Sequence, residues 1–144
     1  MKLAARLATV ALLALAVCAP AEACDCPHET PARALAGADA VFEARVLSVG
    51  PSRFRGQPCG GFCPDTAVRM QVIRHWKGAP AREVVVLTDL QSDCGYEFTA
   101  GETYLVYAGR SGDSYYTDIC RRTAPMSRAA EDLRVLGAGT ALAR

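Results

Sequence analysis

Ala38-Asp39-Ala40-Val41-Phe42-Glu43-Ala44-Arg45-Val46-Leu47-Ser48-Val49 sets Phe42, Ala44, Val46 and Ser48 against Val41, Glu43, Arg45 and Leu47. A period of two puts one set on each face of a pleated chain, so this stretch predicts a long strand. The alternation returns in Thr66 to Trp76, where Ala67, Arg69, Gln71 and Ile73 oppose Val68, Met70, Val72 and Arg74. Shorter β-rich runs follow at Val84–Thr88, Thr103–Ala108 and Tyr115–Ile119, which brings the predicted strands to five. Upstream, Thr30-Pro31-Ala32-Arg33-Ala34-Leu35-Ala36-Gly37 predicts a short helix, with Thr30 as N-cap, Pro31 in the first turn and Gly37 at the end. Downstream, Ser127 opens a predicted helix to about Leu136 with Leu133, Leu136 and Ala129 on its apolar face; Glu131 stands one place late for a capping box. Residues 50–63, rich in Pro, Gly and Ser, read as a loop, and 138–144 as a flexible tail. Five strands with a short helix at either end predict a mainly β domain: a five-stranded Greek-key barrel of the OB type, stabilised by disulfides.

The start of the chain reads as an export signal. Lys2 and Arg6 precede an apolar run from Leu7 to Ala19, and Ala21-Glu22-Ala23 has the small-x-small form of a cleavage site. Residues 1–23 are therefore expected to be a signal peptide and 24–137 the folded domain. The apolar run is too short to span a bilayer and no second one follows. A lipid-anchored envelope form is the rival reading, but Val17 before Cys18 is large and Glu22 before Ala23-Cys24 is charged. Losing Lys2, Arg6 and Glu22 takes 16 basic and 15 acidic residues to 14 of each, a net charge of zero. A neutral chain has no strong field to steer nucleic acid or anionic lipid. The expectation is a secreted or periplasmic monomer.

Cysteine usage agrees with that compartment. Of seven cysteines, Cys18 leaves with the signal, and Cys24, Cys26, Cys59, Cys63, Cys94 and Cys120 remain. An even number in an exported chain reads as a disulfide framework. Cys59-Gly60-Gly61-Phe62-Cys63 suits a local bond, since two glycines let the chain fold back. That leaves Cys24 and Cys26 for Cys94 and Cys120, in either pairing. A bond across about 70 residues contributes roughly 4 kcal/mol in the chain-entropy model. A structural zinc site built on Cys59 and Cys63 lacks a second half-site, and a redox pair is more usually Cys-x-x-Cys.

Several segments together resemble the inhibitory domain of the tissue inhibitors of metalloproteinases, within the netrin-like group. Cys24-Asp25-Cys26 is similar to the mature Cys-x-Cys terminus of that family. Ala38 to Val46 resembles its first strand with the preceding helix, Ser92-Asp93-Cys94-Gly95-Tyr96-Glu97-Phe98 its Ser-x-Cys-Gly-Tyr-x-Phe segment, and Gly112 to Cys120 its final strand. The resemblance implies that the Cys24 α-amine and carbonyl chelate the zinc of a partner metalloprotease and displace its water. It makes Asp25 the residue entering the partner's specificity pocket, and Leu90, Gln91, Ser92 and Asp93 a flanking contact ridge. It also implies the disulfides Cys24–Cys94 and Cys26–Cys120. Asp25 is charged where the family carries a small or neutral side chain, and Pro27 follows Cys26 one place earlier than in the family. The alternative reading is a netrin-like extracellular or envelope module that binds protein without inhibiting anything.

Nothing else in the chain points to catalysis. His28 and His75 are the only histidines, and neither has an acidic cluster beside it in sequence. No nucleophile elbow, phosphate loop or paired carboxylates stand out, so neither enzymatic activity nor a cofactor is expected. Trp76 reads as a core or lid residue, and Arg53, Arg55, Arg121 and Arg122 as solvated charge.

Overall fold

The computed structural model of the protein describes residues 24–58, 64–78 and 80–142. Residues 1–23, and with them the signal-peptide reading, lie outside the described residues, as does the Cys59–Cys63 bond.

Helix α1 (Pro31–Gly37) forms for the reasons legible in its sequence. Thr30 is extended, its Oγ1 accepts the Arg33 N–H at 3.4 Å, and Pro31 takes the first turn. Five strands follow: β1 (Ala40–Pro51), β2 (Thr66–Lys77), β3 (Glu83–Thr88), β4 (Thr103–Ser111) and β5 (Ser114–Tyr116). β1 pairs antiparallel with both β2 and β4, β2 with β3, and β4 with β5, while β3 and β5 run parallel. These five pairings form a circuit. Two further strands join it, β6 (Ala124–Pro125) on β4 and β7 (Thr140–Ala141) on β2, so among the described residues the sheet has seven strands rather than the expected five. A two-residue strand carries no readable period, which is why Ala124–Pro125 and Thr140–Ala141 leave no trace in the sequence pattern.

Two further expectations are corrected. The strand predicted over Tyr115–Ile119 stops at Tyr116. Thr117 turns inward, its Oγ1 donating to the Tyr107 carbonyl at 3.0 Å, and the Asp118 carboxylate accepts the Cys120 and Arg121 N–H groups at 2.9 and 3.1 Å. The chain is thus already in a turn. The last helix, α2 (Ala130–Leu136), begins later than Ser127; residues Met126–Arg128 form a 3-10 turn, and the N-cap is Ala129, with no side-chain cap. In the stretch 138–142, β7 pairs antiparallel with β2. The Arg74 guanidinium donates to the Ala138 carbonyl at 3.1 Å, and the Leu142 N–H donates to the Ile73 carbonyl at 3.0 Å.

The sheet packs on both sides. Phe42, Ala44 and Val46 of β1 meet Val68, Met70, Val86 and Val106 in the main apolar cluster. Val41, on the opposite face with Glu43 and Arg45, is also fully buried. With Leu105 and Tyr107 it packs under Ala34 and Ala38 near α1 and under Ala129 before α2. Trp76 closes that second cluster with Leu35, Leu133 and Leu136, and its indole N–H donates to the Gly137 carbonyl at 2.8 Å.

Candidate functional site

Two disulfides place the start of the described chain. Cys24 bonds Cys94 and Cys26 bonds Cys120, with Cα separations of 5.4 and 4.9 Å, as the resemblance implied. Because the cysteines are next neighbours but one, the two bridges lie side by side, Cys24 Sγ being 3.8 Å from Cys120 Sγ. Asp25 sits between two anchored residues and is exposed. Behind it, the Arg122 guanidinium donates to the Glu29 carbonyl at 2.8 Å and holds the approach to α1.

The ridge residues Leu90, Gln91, Ser92 and Asp93 are all exposed and belong to a turn that bonds to itself. The Asp89 carboxylate accepts the Gln91 N–H and its carbonyl the Ser92 N–H, both at 3.2 Å. Ser92 Oγ accepts the Cys94 N–H at 3.2 Å, and the Ser92 carbonyl accepts the Gly95 N–H at 3.0 Å. The turn closes only because residue 95 is glycine: a Cβ there would overlap the Asp89 carbonyl group. Beyond it, Tyr96 and Phe98 pack on each other and on Tyr104, with ring centroids 4.7 to 6.1 Å apart. Burial, with Tyr104 alongside, pushes the Tyr96 hydroxyl up to about 12. Gly95→Ala is therefore expected to destabilise the domain by about 1–3 kcal/mol, the usual cost of an atom with no room. A urea midpoint unchanged from that of the parent protein would show that the turn can open freely.

The bridge Cys24–Cys94 brings the terminal segment and the ridge together. Leu90, 43% exposed, and Ile119, 45% exposed, add apolar surface near it, the Ile119 N–H donating to the Cys94 carbonyl at 3.0 Å. Sequence reasoning did not single out Ile119.

It also missed Asp65, which is buried beneath the ridge. The Asp65 carboxylate accepts the Leu90 N–H at 2.8 Å and the Thr66 hydroxyl at 2.9 Å, with the Gln91 side-chain amide at 3.5 Å. Burial pushes this carboxyl up. The Leu90, Thr66 and Gln91 hydrogen bonds and the Arg55 charge outweigh that, and the net shift is below its ordinary value.

A second buried carboxylate holds the far side. Asp132 accepts the Tyr107 hydroxyl at 2.8 Å and two Arg122 N–H groups at 2.8 and 2.9 Å. Burial raises the Asp132 carboxyl, but the Arg122 and Tyr107 hydrogen bonds and the Arg122 charge bring it below its ordinary value. Burial and the Asp132 bond both push the Tyr107 hydroxyl up. Arg122, read from sequence as solvated charge, is thus a structural cation bonded to Asp132, Glu131 and the Glu29 carbonyl. Arg121 is stacked 4.5 Å above the Tyr116 ring.

Among the described residues, the only grouped metal-ligating atoms are the sulfurs of Cys24, Cys26 and Cys120, within 4.8 Å of one another. Each is committed to a disulfide and offers no thiolate. His28 is exposed and His75 lies on β2, away from any such group. No helix of the described residues is long and apolar enough to cross a membrane. No protein-family model matches the chain, and no curated protein matches it.

Proposed function

We propose that the exported domain, cleaved after Ala23, inhibits a zinc endopeptidase by chelating the partner's zinc with the Cys24 α-amine and carbonyl, without being an enzyme itself. The observation that carries this is the double bridge. It ties Cys24 and Cys26 to the body of the domain beside the Leu90–Asp93 ridge and leaves Asp25 exposed between them. A catalytic zinc keeps one position open for water or substrate, and a fixed amine-carbonyl pair can fill it without first being ordered. Asp25 then enters the partner's specificity pocket. An unpaired carboxylate there would cost several kcal/mol, so the pocket that accepts it carries an arginine or lysine.

We read the scaffold as an OB-type barrel. The support is the circuit of pairs β1–β2, β2–β3, β3–β5, β5–β4 and β4–β1, in which only β3–β5 is parallel.

The first test is the intact mass of the exported protein before and after reduction, followed by a screen of secreted zinc endopeptidases. A mass beginning at Cys24 supports the reading, and a lipid-sized increment or another start removes the free amine it needs. The amine must be unprotonated to bind metal, and an α-amino group titrates near roughly 7.7–8.0. Inhibition is therefore expected to weaken by about 40-fold between pH 8 and pH 6, the fall in the unprotonated fraction for a group near ~7.8. Inhibition constants that stay flat over that range, against an endopeptidase active throughout it, would rule chelation out.

A further inference from the structure

We propose that Asp65 is the positioning residue of the contact ridge, the group that sets Leu90 and Gln91 relative to Cys24. This rests on the inhibitory reading and adds to it a residue that contacts no partner.

The argument is geometric. The ridge turn 89–95 bonds mainly to itself, so its own hydrogen bonds fix its shape but not its place on the domain. Its place is fixed downstream by the Cys24–Cys94 bridge, by the Ile119 N–H on the Cys94 carbonyl, and by the Tyr96 N–H, which donates to the buried Thr88 hydroxyl at 2.8 Å. Upstream, among the described residues, the hydrogen bonds that Leu90 and Gln91 make outside the turn go to Asp65. That residue is itself anchored. It is buried, it is fixed by Thr66 at the first position of β2, and its backbone carbonyl accepts the Ser52 N–H at 2.8 Å. Ser52 in turn donates to the Pro64 carbonyl and accepts the Phe54 N–H at 2.9 Å. One residue therefore joins the ridge and the start of β2 through its carboxylate, and the loop after β1 through its backbone carbonyl. The three enclose a cleft of about 240 Å³ bordered by Phe54, Arg55, Gln57, Asp65, Asp89 and Gln91. Leu90 is the exposed apolar residue of the ridge, and its backbone is the one Asp65 grips most closely.

The test compares Asp65→Ala, Asp65→Asn and Tyr107→Phe, the last removing a buried hydrogen bond in the second apolar cluster as a stability control. Two quantities are read: the amide exchange rate of Leu90 in the free protein, and the inhibition constant against an endopeptidase that the parent protein inhibits. Asparagine keeps an oxygen where Leu90 donates; alanine does not. Asp65→Ala is expected to speed Leu90 exchange about 10- to 100-fold, the loss of one charge-assisted bond, and to weaken inhibition about 10-fold. Asp65→Asn should stay within about 3-fold of the parent on both readouts, and Tyr107→Phe should move neither. Unchanged Leu90 exchange in Asp65→Ala overturns the proposal, and so does faster exchange with unaltered inhibition. If the parent protein inhibits no endopeptidase, the inhibitory reading fails by itself. Leu90 exchange, which needs no partner, then decides alone whether Asp65 positions the turn.

Discussion

Asp132→Ala is expected to lower the unfolding free energy of the domain by about 3 kcal/mol, near the lower end of what breaking a buried ion pair costs. The side chain of Asp132 is 5% exposed and takes three hydrogen bonds, from the Tyr107 hydroxyl and from two nitrogens of Arg122. Alanine strands a buried hydroxyl and a guanidinium at once. The cost stays at the lower end because the Arg122 side chain is 24% exposed and keeps Glu131 and the Glu29 carbonyl as partners. A loss of about 3 kcal/mol lowers the melting temperature of a domain this size by roughly 12 °C. The sign with pH follows from the carboxyl lying below its ordinary value of 3.8. Its contribution is present above the unfolded-state value and lost as pH falls through the folded-state one, so the gap between parent and variant narrows in acid. Urea unfolding at pH 7 checks the magnitude; a change below about 1 kcal/mol, the worth of one ordinary hydrogen bond, would mean the network is dispensable.

A single alanine placed before Cys24 is expected to weaken inhibition by roughly 1,000-fold, about 4 kcal/mol. The added residue turns the α-amine into an amide, whose nitrogen has no lone pair to give a metal, and it fills the space that zinc would occupy. The fold is not at stake, because the Cys24–Cys94 and Cys26–Cys120 bridges pass through side chains. The melting temperature and the mass gain on reduction should match the parent. An extended protein that inhibits as well as the parent would mean that Leu90, Ile119 and their neighbours block the endopeptidase as an ordinary docking face, with no chelation by Cys24.

Much of the architecture was legible because it is local. Thr30 and Pro31 mark a helix start within two residues, and the alternation in β1 and β2 runs long enough to be read. What escaped is tertiary. Val41 shares its face of β1 with Glu43 and Arg45, and alternation alone does not show that residues of α1 and those before α2 cover it. The end of β5 depends on Thr117 reaching Tyr107 and on Asp118 bonding its own neighbours. The pairing of β7 with β2 joins residues distant in sequence.

The candidate site divides the same way. The pairing of Cys24 with Cys94 came from the resemblance, and it is this bond that brings the terminus to the Leu90–Asp93 ridge. Asp65 offered no signal, being one aspartate at the end of a loop whose partners lie 25 and 26 residues on. Arg122 looked like surface charge because its partner Asp132 is ten residues away, on a helix whose buried face comes from packing rather than capping.

The most direct measurement is the visible absorption spectrum of cobalt-substituted secreted zinc endopeptidases, titrated with the mature protein and with its alanine-extended form. Chelation by the Cys24 amine and carbonyl predicts that, with at least one endopeptidase, the cobalt bands shift to a saturating end point at one equivalent of the mature protein. The extended form should leave them unmoved. Spectra undisturbed across the panel, or disturbed equally by both forms, would contradict it.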